Sequence, residues 1–332
     1  MEADRRARLL GVALRALVVD RLGDGFDESC ATGVTSMGRG AALVHRQQAW
    51  VLVDDRHDTA LGPAVAWATS VGATSLQLLA PQAAGLLARR AACFSPERFP
   101  IEVWQIEDRR QTPAVAEALP ADVRPPPEHL ELTDLIAGAG ADVVVEHGVV
   151  AGEVAGLEVC RAVTDPQTGS VRLEVGVGVH DREAFTLMHG DVPVARALAD
   201  VVAAVQRHRR RGAEPHPLNR LARERLLRHQ LIEHPDSLGL RTLESVAPPV
   251  PRRNVKDAVP CVARGSDAEG TEVLVVCSHG IDLDVVPFAL DARMAAQPTA
   301  TVIIAVEGRD AHPVQSRLAG LATGDVRLLA VP

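Results

Sequence analysis

Apolar positions recur along this chain with two periods, and the switching between them predicts its elements. Near the N-terminus Leu10, Ala13, Leu14 and Leu17 fall at helical spacing, so that stretch is expected to form an amphipathic helix. Beyond it, short apolar runs alternate with helix-length segments. "AALVHRQQAWVLVDD" is expected as a strand, "RHDTALGPAVAWATSVGA" as a loop and a helix with Pro63 in its first turn, "TSLQLLA" as a strand, "PQAAGLLARRAACF" as a helix and "IEVWQIED" as a strand. The same order returns near the C-terminus: "TEVLVVCSHG", a helix "DLDVVPFALDARMAA" with Pro287 early, "TATVIIAVEG", a helix around "PVQSRLAGLA", and "DVRLLAVP".

Strands alternating with helices of this length favour parallel pairing through right-handed crossovers. The expected fold class is therefore α/β, with two similar βαβαβ units flanking a central α/β domain that contains a hairpin. Proline-rich breaks divide the chain into an N-terminal unit over 1–122, a central domain over 128–206, a basic and proline-rich connector over 207–256, and a C-terminal unit over 257–332. Open α/β sheets usually hold ligands at the carboxyl edge of their strands. That edge would carry Asp54, Asp55 and Asp58 in the first unit and Ser278, His279, Asp282 and Asp284 in the last. Capping of helix N-termini is the competing role for the same residues.

Composition narrows the functional classes. With 332 residues, 47% of them hydrophobic, the chain has enough material for two or three packed cores. A formal charge of −8 disfavours a protein that coats nucleic acid over its whole surface, so any polyanion binding must be local. Five cysteines without a CxxC pair argue for a reducing compartment, and no run is apolar enough to span a bilayer. A cytoplasmic protein is expected, with self-association left open.

The stretch "GLEVCRAVTDPQTGSVRLEVGVGVHDREAF" sets Glu158 and Glu174 on two arms of a hairpin turned by "TDPQTG", where Pro166 and Gly169 supply the turn chemistry. On one face of neighbouring antiparallel strands the two carboxylates could share a cation, with Glu146 or Glu153 as a third oxygen donor; a shift of one residue in register would separate them. Alternation of apolar and acidic positions also describes an ordinary half-buried strand.

The order helix, strand, hairpin, helix, with an acid on the second strand and the triplet "EVG" on the third, resembles the core of the PD-(D/E)XK, restriction-endonuclease-like nuclease superfamily. The resemblance implies that Glu158 and Glu174 bind Mg or Mn and act in phosphodiester cleavage. Gly176 stands where the superfamily has its lysine. Arg182 nearby could stabilise phosphate charge but has too high a pKa to serve as a base, so the metal alone would have to activate water.

Against the acidic background one run, "RHRRRGAEPHPLNRLARERLLRH", concentrates arginine. Arg209, Arg210, Arg211 and Arg220 are its candidate DNA- or RNA-binding residues, and a connector whose arginines pair with neighbouring acids is the equal alternative. His147, His180, His189 and His279 stand near element ends but lack the i,i+4 spacing of a helical zinc motif. "TGVTSMGRG" has Arg39 and Gly40 where a phosphate loop needs Lys and Ser or Thr, and is expected to be a turn into a strand. Two functions remain: a nucleic-acid-associated protein with a metal-dependent, nuclease-like and catalytically impaired core, or a non-enzymatic nucleotide-binding, ligand-binding or scaffold protein.

Overall fold

The computed structural model describes residues 2–38, 40–178, 182, 192–210, 213, 214, 216–252 and 257–331. The chain divides into two compact units. The first comprises Met1–Leu119, Ile281–Met294 and Ala311–Leu328, and the second Pro120–Gly280, Ala295–Asp310 and Leu329–Pro332.

In the first unit α1 (Glu2–Leu22) lays Leu14, Leu17 and Val18 against a core with Ala41, Leu43, Trp50 and Leu52, which accounts for the helical spacing at the N-terminus. Strands β1 (Thr35–Met37), β2 (Gly40–His45) and β3 (Gln48–Val53) precede α2 (Leu61–Ser70), β4 (Ser75–Ala80), α3 (Ala84–Ala91), β5 (Ile101–Glu107) and β6 (Arg110–Pro113). They form one sheet in the order β1-β2-β3-β4-β5-β6. β3, β4 and β5 run parallel, as right-handed crossover chemistry predicts, and the flanking pairs are antiparallel.

The second unit begins with α4 (Pro127–Leu130) and α5 (Thr133–Gly138), followed by β7 (Asp142–Glu146), β8 (Val149–Val154), β9 (Leu157–Thr164) and β10 (Val171–Val175). These strands make an antiparallel sheet in the order β10-β9-β8-β7. Its buried face, with Val150, Val154, Leu157 and Val159, packs against Leu198, Val202 and Val205 of α6 (Val194–His208). Next come α7 (Arg223–Glu233), β11 (Leu240–Val246), β12 (Cys261–Asp267) and β13 (Glu272–Cys277), and later β14 (Thr301–Glu307) and β15 (Val326–Val331), while the intervening helices α8 (Val285–Ala296) and α9 (Pro313–Gly320) belong almost wholly to the first unit. A third sheet has the order β11-β12-β13-β14-β15, antiparallel up to β13 and parallel from β13 to β14.

The fold is thus α/β. The first three pairings of the last sheet, antiparallel, antiparallel and parallel, match those of the first, and Pro63 and Pro287 are each the third residue of the helix after the first parallel strand. Two expectations need correction. "AALVHRQQAWVLVDD" is two antiparallel strands, because the chain reverses at Arg46 (φ 57°), where His45 pairs with Gln48. The segment 207–256 is more than a connector. Its apolar residues Leu227, Leu231, Leu240 and Leu243 join Val273, Val275 and Ile303 in one core, so the segment supplies a helix and an edge strand to the last sheet. The described helices include none long and apolar enough to cross a membrane.

Candidate functional site

The hairpin acids come first, since they carried the nuclease resemblance. The turn forms as its residues predict: the Asp165 carboxylate accepts hydrogen bonds from the Gln167 and Thr168 N–H groups, and Gly169 has φ 69°. The register, however, sets Glu174 opposite Arg161, three positions along β9 from Glu158, while Glu158 lies opposite Glu153 on β8. The expected direct cross-strand pairing of Glu158 with Glu174 is therefore absent. What lies between the two carboxylates is a guanidinium. Arg182 Nη1 donates to Glu158 Oε1 at 2.8 Å and its Nε lies 3.7 Å from Glu174 Oε2. Arg161 adds a two-pronged contact to Glu158 at 3.0 and 2.9 Å, and Arg172 pairs with Glu174 at 2.9 Å.

Glu146 and Glu153, the candidate third donors, are likewise matched by arginine. Both accept from Arg225, and Arg228 lies 3.1 Å from Glu146 and 3.4 Å from Glu153. Burial by itself would push the Glu146 carboxyl up, but the charges and hydrogen bonds of Arg225 and Arg228 outweigh it and hold the group below the usual carboxylate range. Fixed guanidinium charge thus stands at each carboxylate where the nuclease resemblance asks for a metal ion.

The arginines expected to bind nucleic acid separate into different roles. Arg209 is 5% exposed and ties the backbone together, donating to the carbonyls of Ala155, Leu218, Leu221 and Ala222. It corrects the expectation of a phosphate contact, since its five N–H donors are already used within the fold. Burial brings its pKa down to about 10. Arg210 and Arg220 are exposed, and Arg211 lies outside the described residues, as do His180, His189 and Arg39.

Arg210 opens onto a cavity of about 200 Å³ formed where α6 ends and α7 begins. Its polar lining includes His208, Asn219, Arg223, Gln230 and Glu307. Buried Asn219 Oδ1 has no hydrogen-bond partner among the described residues. His208 stacks on His216 with ring centroids 3.7 Å apart, and desolvation, His216 and Arg207 together hold it below the usual histidine range. The arginines and the amide N–H groups around this small cavity are donors of the kind a phosphate group requires, and one of those arginines, Arg223, is paired with the Glu307 carboxylate.

Glu307 joins this cavity to a second constellation. It is the last residue of β14, and His279 follows the end of the parallel neighbour β13, so both stand at a carboxyl edge. His279 Nδ1 lies 3.7 Å from Glu307 Oε1 and 3.3 Å from Asp310 Oδ2. Asp310 also accepts from the Gly280 N–H at 2.8 Å, and Glu307 accepts from Arg223 at 3.0 Å. Desolvation and Arg223 keep His279 below its usual pKa against the pull of the two acids, which favours the neutral ring that binds metals. Among the described residues these three are the cluster whose ligand atoms lie close enough for one ion, all within 4.8 Å of one another.

In the first unit, the carboxyl end of β3 opens on a cavity of about 470 Å³ lined by Asp55, Arg56, Thr59 and Asp282. Asp54 instead pairs with Arg6, and Asp284 is buried, accepting from the Gly62 N–H at 2.9 Å and from Arg90 at 2.9 Å. Among the described residues, Asp55 and Asp282 are the carboxyl-edge acids that line this cavity. Glu307, Asp310, Arg223, Asn219 and Gln230 were missed by sequence reasoning. The rule that singled out His279 after β13 would have found the first two had it been applied to "VEGRD" after β14. No family model, no curated protein and no solved structure matches the chain.

Proposed function

We propose that this protein is a nucleic-acid-associated binding protein that takes a backbone phosphate into the cavity at the α6–α7 junction. The hairpin acids then serve the fold instead of catalysis. One observation carries this reading: Arg210, Arg223, His208, Asn219 and Gln230 converge on a small cavity in a chain whose net charge of −8 otherwise repels polyanions. The arginine-saturated hairpin supports the impaired side of the nuclease resemblance, because Mg or Mn there would have to displace guanidinium groups held by good geometry.

Fluorescence anisotropy with a labelled single-stranded oligonucleotide tests it. The wild type should bind with a salt-dependent affinity, and Arg210→Gln should weaken binding while lowering the salt slope by about 0.7 to 1. Equal affinity and slope in both proteins would overturn the assignment. If a mononucleotide bound while the oligonucleotide did not, the alternative of a nucleotide-binding protein would replace it.

A further inference from the structure

We infer that His279, Glu307 and Asp310 form a site for one divalent cation, zinc or manganese, beside the phosphate cavity. The argument starts from distances. Ligand atoms held about 2.0–2.2 Å from a tetrahedral ion are separated from one another by roughly 3.3–3.6 Å. The His279 nitrogen stands 3.3 Å from the Asp310 oxygen and 3.7 Å from the Glu307 oxygen, so it is spaced from both as ligands of one ion would be.

The state of the ligand atoms agrees with that spacing. His279 Nδ1 is buried and has no hydrogen-bond partner among the described residues, although two carboxylates flank it. An imidazole nitrogen in that position is satisfied either by taking a proton or by binding a cation. The backbone supports the arrangement: the Gly280 N–H donates to Asp310 Oδ2, the same oxygen that stands 3.3 Å from His279 Nδ1, and so holds that oxygen in place while leaving it a second lone pair. One nitrogen and two carboxylates suit zinc or manganese better than the softer thiolate-seeking ions or calcium, which prefers six to eight oxygens.

Three protein ligands leave a position open, as metal sites that bind a further ligand do. Glu307 belongs to both the cluster and the cavity wall, so a phosphate in the cavity would lie next to that position. Arg223 now donates to Glu307 at 3.0 Å; a cation that takes over the carboxylate charge would release Arg223 toward phosphate. The site deepens the proposed function, resting on it only for the neighbouring phosphate.

Calorimetry on chelator-stripped full-length protein, with zinc chloride and then manganese chloride as titrants, tests the cation site. The wild type should bind about one equivalent, and Glu307→Gln should weaken binding by at least about tenfold. Because Glu307 also pairs with Arg223 and Arg309, His279→Gln provides a second variant at a partly exposed position, with the same expected loss. Glu158→Gln should bind as the wild type does. No binding by the wild type, undiminished binding by His279→Gln, or loss confined to Glu158→Gln would each overturn the site. Repeating the oligonucleotide anisotropy in excess chelator separates the two claims: retained affinity with no cation binding removes only the metal site, whereas lost oligonucleotide binding with intact cation binding removes only the phosphate reading.

Discussion

On β7 and β8 of the central sheet, Glu146 and Glu153 meet Arg225 and Arg228 in a buried lattice of opposite charges, whereas at the carboxyl edge of β13 and β14 His279 keeps a buried nitrogen that has no hydrogen-bond partner among the described residues, beside two acids and a cavity. Both regions gather the residue types that chemistry uses. The second also pairs Glu307 with Arg223 and Arg309, and differs in its histidine nitrogen, which has no hydrogen-bond partner among the described residues. A carboxylate matched by two buried guanidinium groups has little to gain from a dissolved ion, because the ion must first displace charge that the fold has positioned, whereas Arg223 and Arg309 at Glu307 are partly exposed and can turn to solvent. Acids count as a binding site by what they lack, more than by their number.

The comparison breaks most visibly if the hairpin lattice is dispensable. Arg225→Met would leave Glu153, which is 4% exposed, and Glu146 short of a partner in a buried setting. A loss of about 3–5 kcal/mol is expected, read from urea unfolding. A change under about 1 kcal/mol would mean that the carboxylates are free enough to take a metal after all.

A smaller effect separates two neighbouring arginines. Arg209→Gln would leave several of the carbonyls of Ala155, Leu218, Leu221 and Ala222 without their donor and should cost about 1–3 kcal/mol. Arg210→Gln, at an exposed position, should stay within about 0.5 kcal/mol and act on oligonucleotide affinity alone. Equal stability losses in the two variants would merge the roles that the cavity and the backbone tie keep apart.

These arginines also mark where the sequence was legible and where it was not. Period-3.6 and period-2 patterning announced the α/β order because each element buries one face in its own sheet, and Pro63 and Pro287 marked equivalent helix starts. The turn at Arg46 was hidden because neither Gly nor Pro stands there, although the polar run His45, Arg46, Gln47 and Gln48 separates the two buried strands and could have marked the reversal. Arg225 stands in the arginine-rich run with nothing beside it to mark its role. Its partners Glu146 and Glu153 lie more than seventy residues away, and local periodicity contains nothing about a partner at that range. The offset of Glu174 from Glu158 follows from strand register, which depends on tertiary pairing and not on the spacing along one strand.

Proton linkage distinguishes acids that arginine stabilises from acids that burial strains. Glu146 has a folded-state pKa below its unfolded value, so its contribution is present above the unfolded pKa and is lost as pH falls through the lowered folded one. Asp284, in the first unit, behaves oppositely: burial pushes it up to about 7 despite Arg90. The folded state then binds more protons than the unfolded state between about pH 4 and pH 7, and stability falls as pH rises through that window. Asp284→Asn should flatten this fall, measured as urea midpoints between pH 5 and pH 7.5, and Glu146→Gln should leave it in place. An unchanged slope in Asp284→Asn would remove burial as the dominant influence on that carboxyl.

The smallest expected effect tests whether the hairpin matters only as scaffold. Gly156 and Gly169 both have positive φ in turns of the central sheet, 76° and 69°. A Cβ at Gly156 would lie 2.4 Å from the Arg225 carbonyl carbon and oxygen, whereas one at Gly169 would meet nothing within 4 Å. Gly169→Ala therefore carries only the left-handed backbone penalty, about 1 kcal/mol, while Gly156→Ala adds a collision with the helix that delivers Arg225. If the hairpin is scaffold, Gly169→Ala should lower the unfolding midpoint slightly and leave both cation binding and oligonucleotide affinity at the wild-type values. Loss of either ligand in so mild a variant would place function back on the hairpin, and the distinction between saturated and unsaturated acids would fail with it.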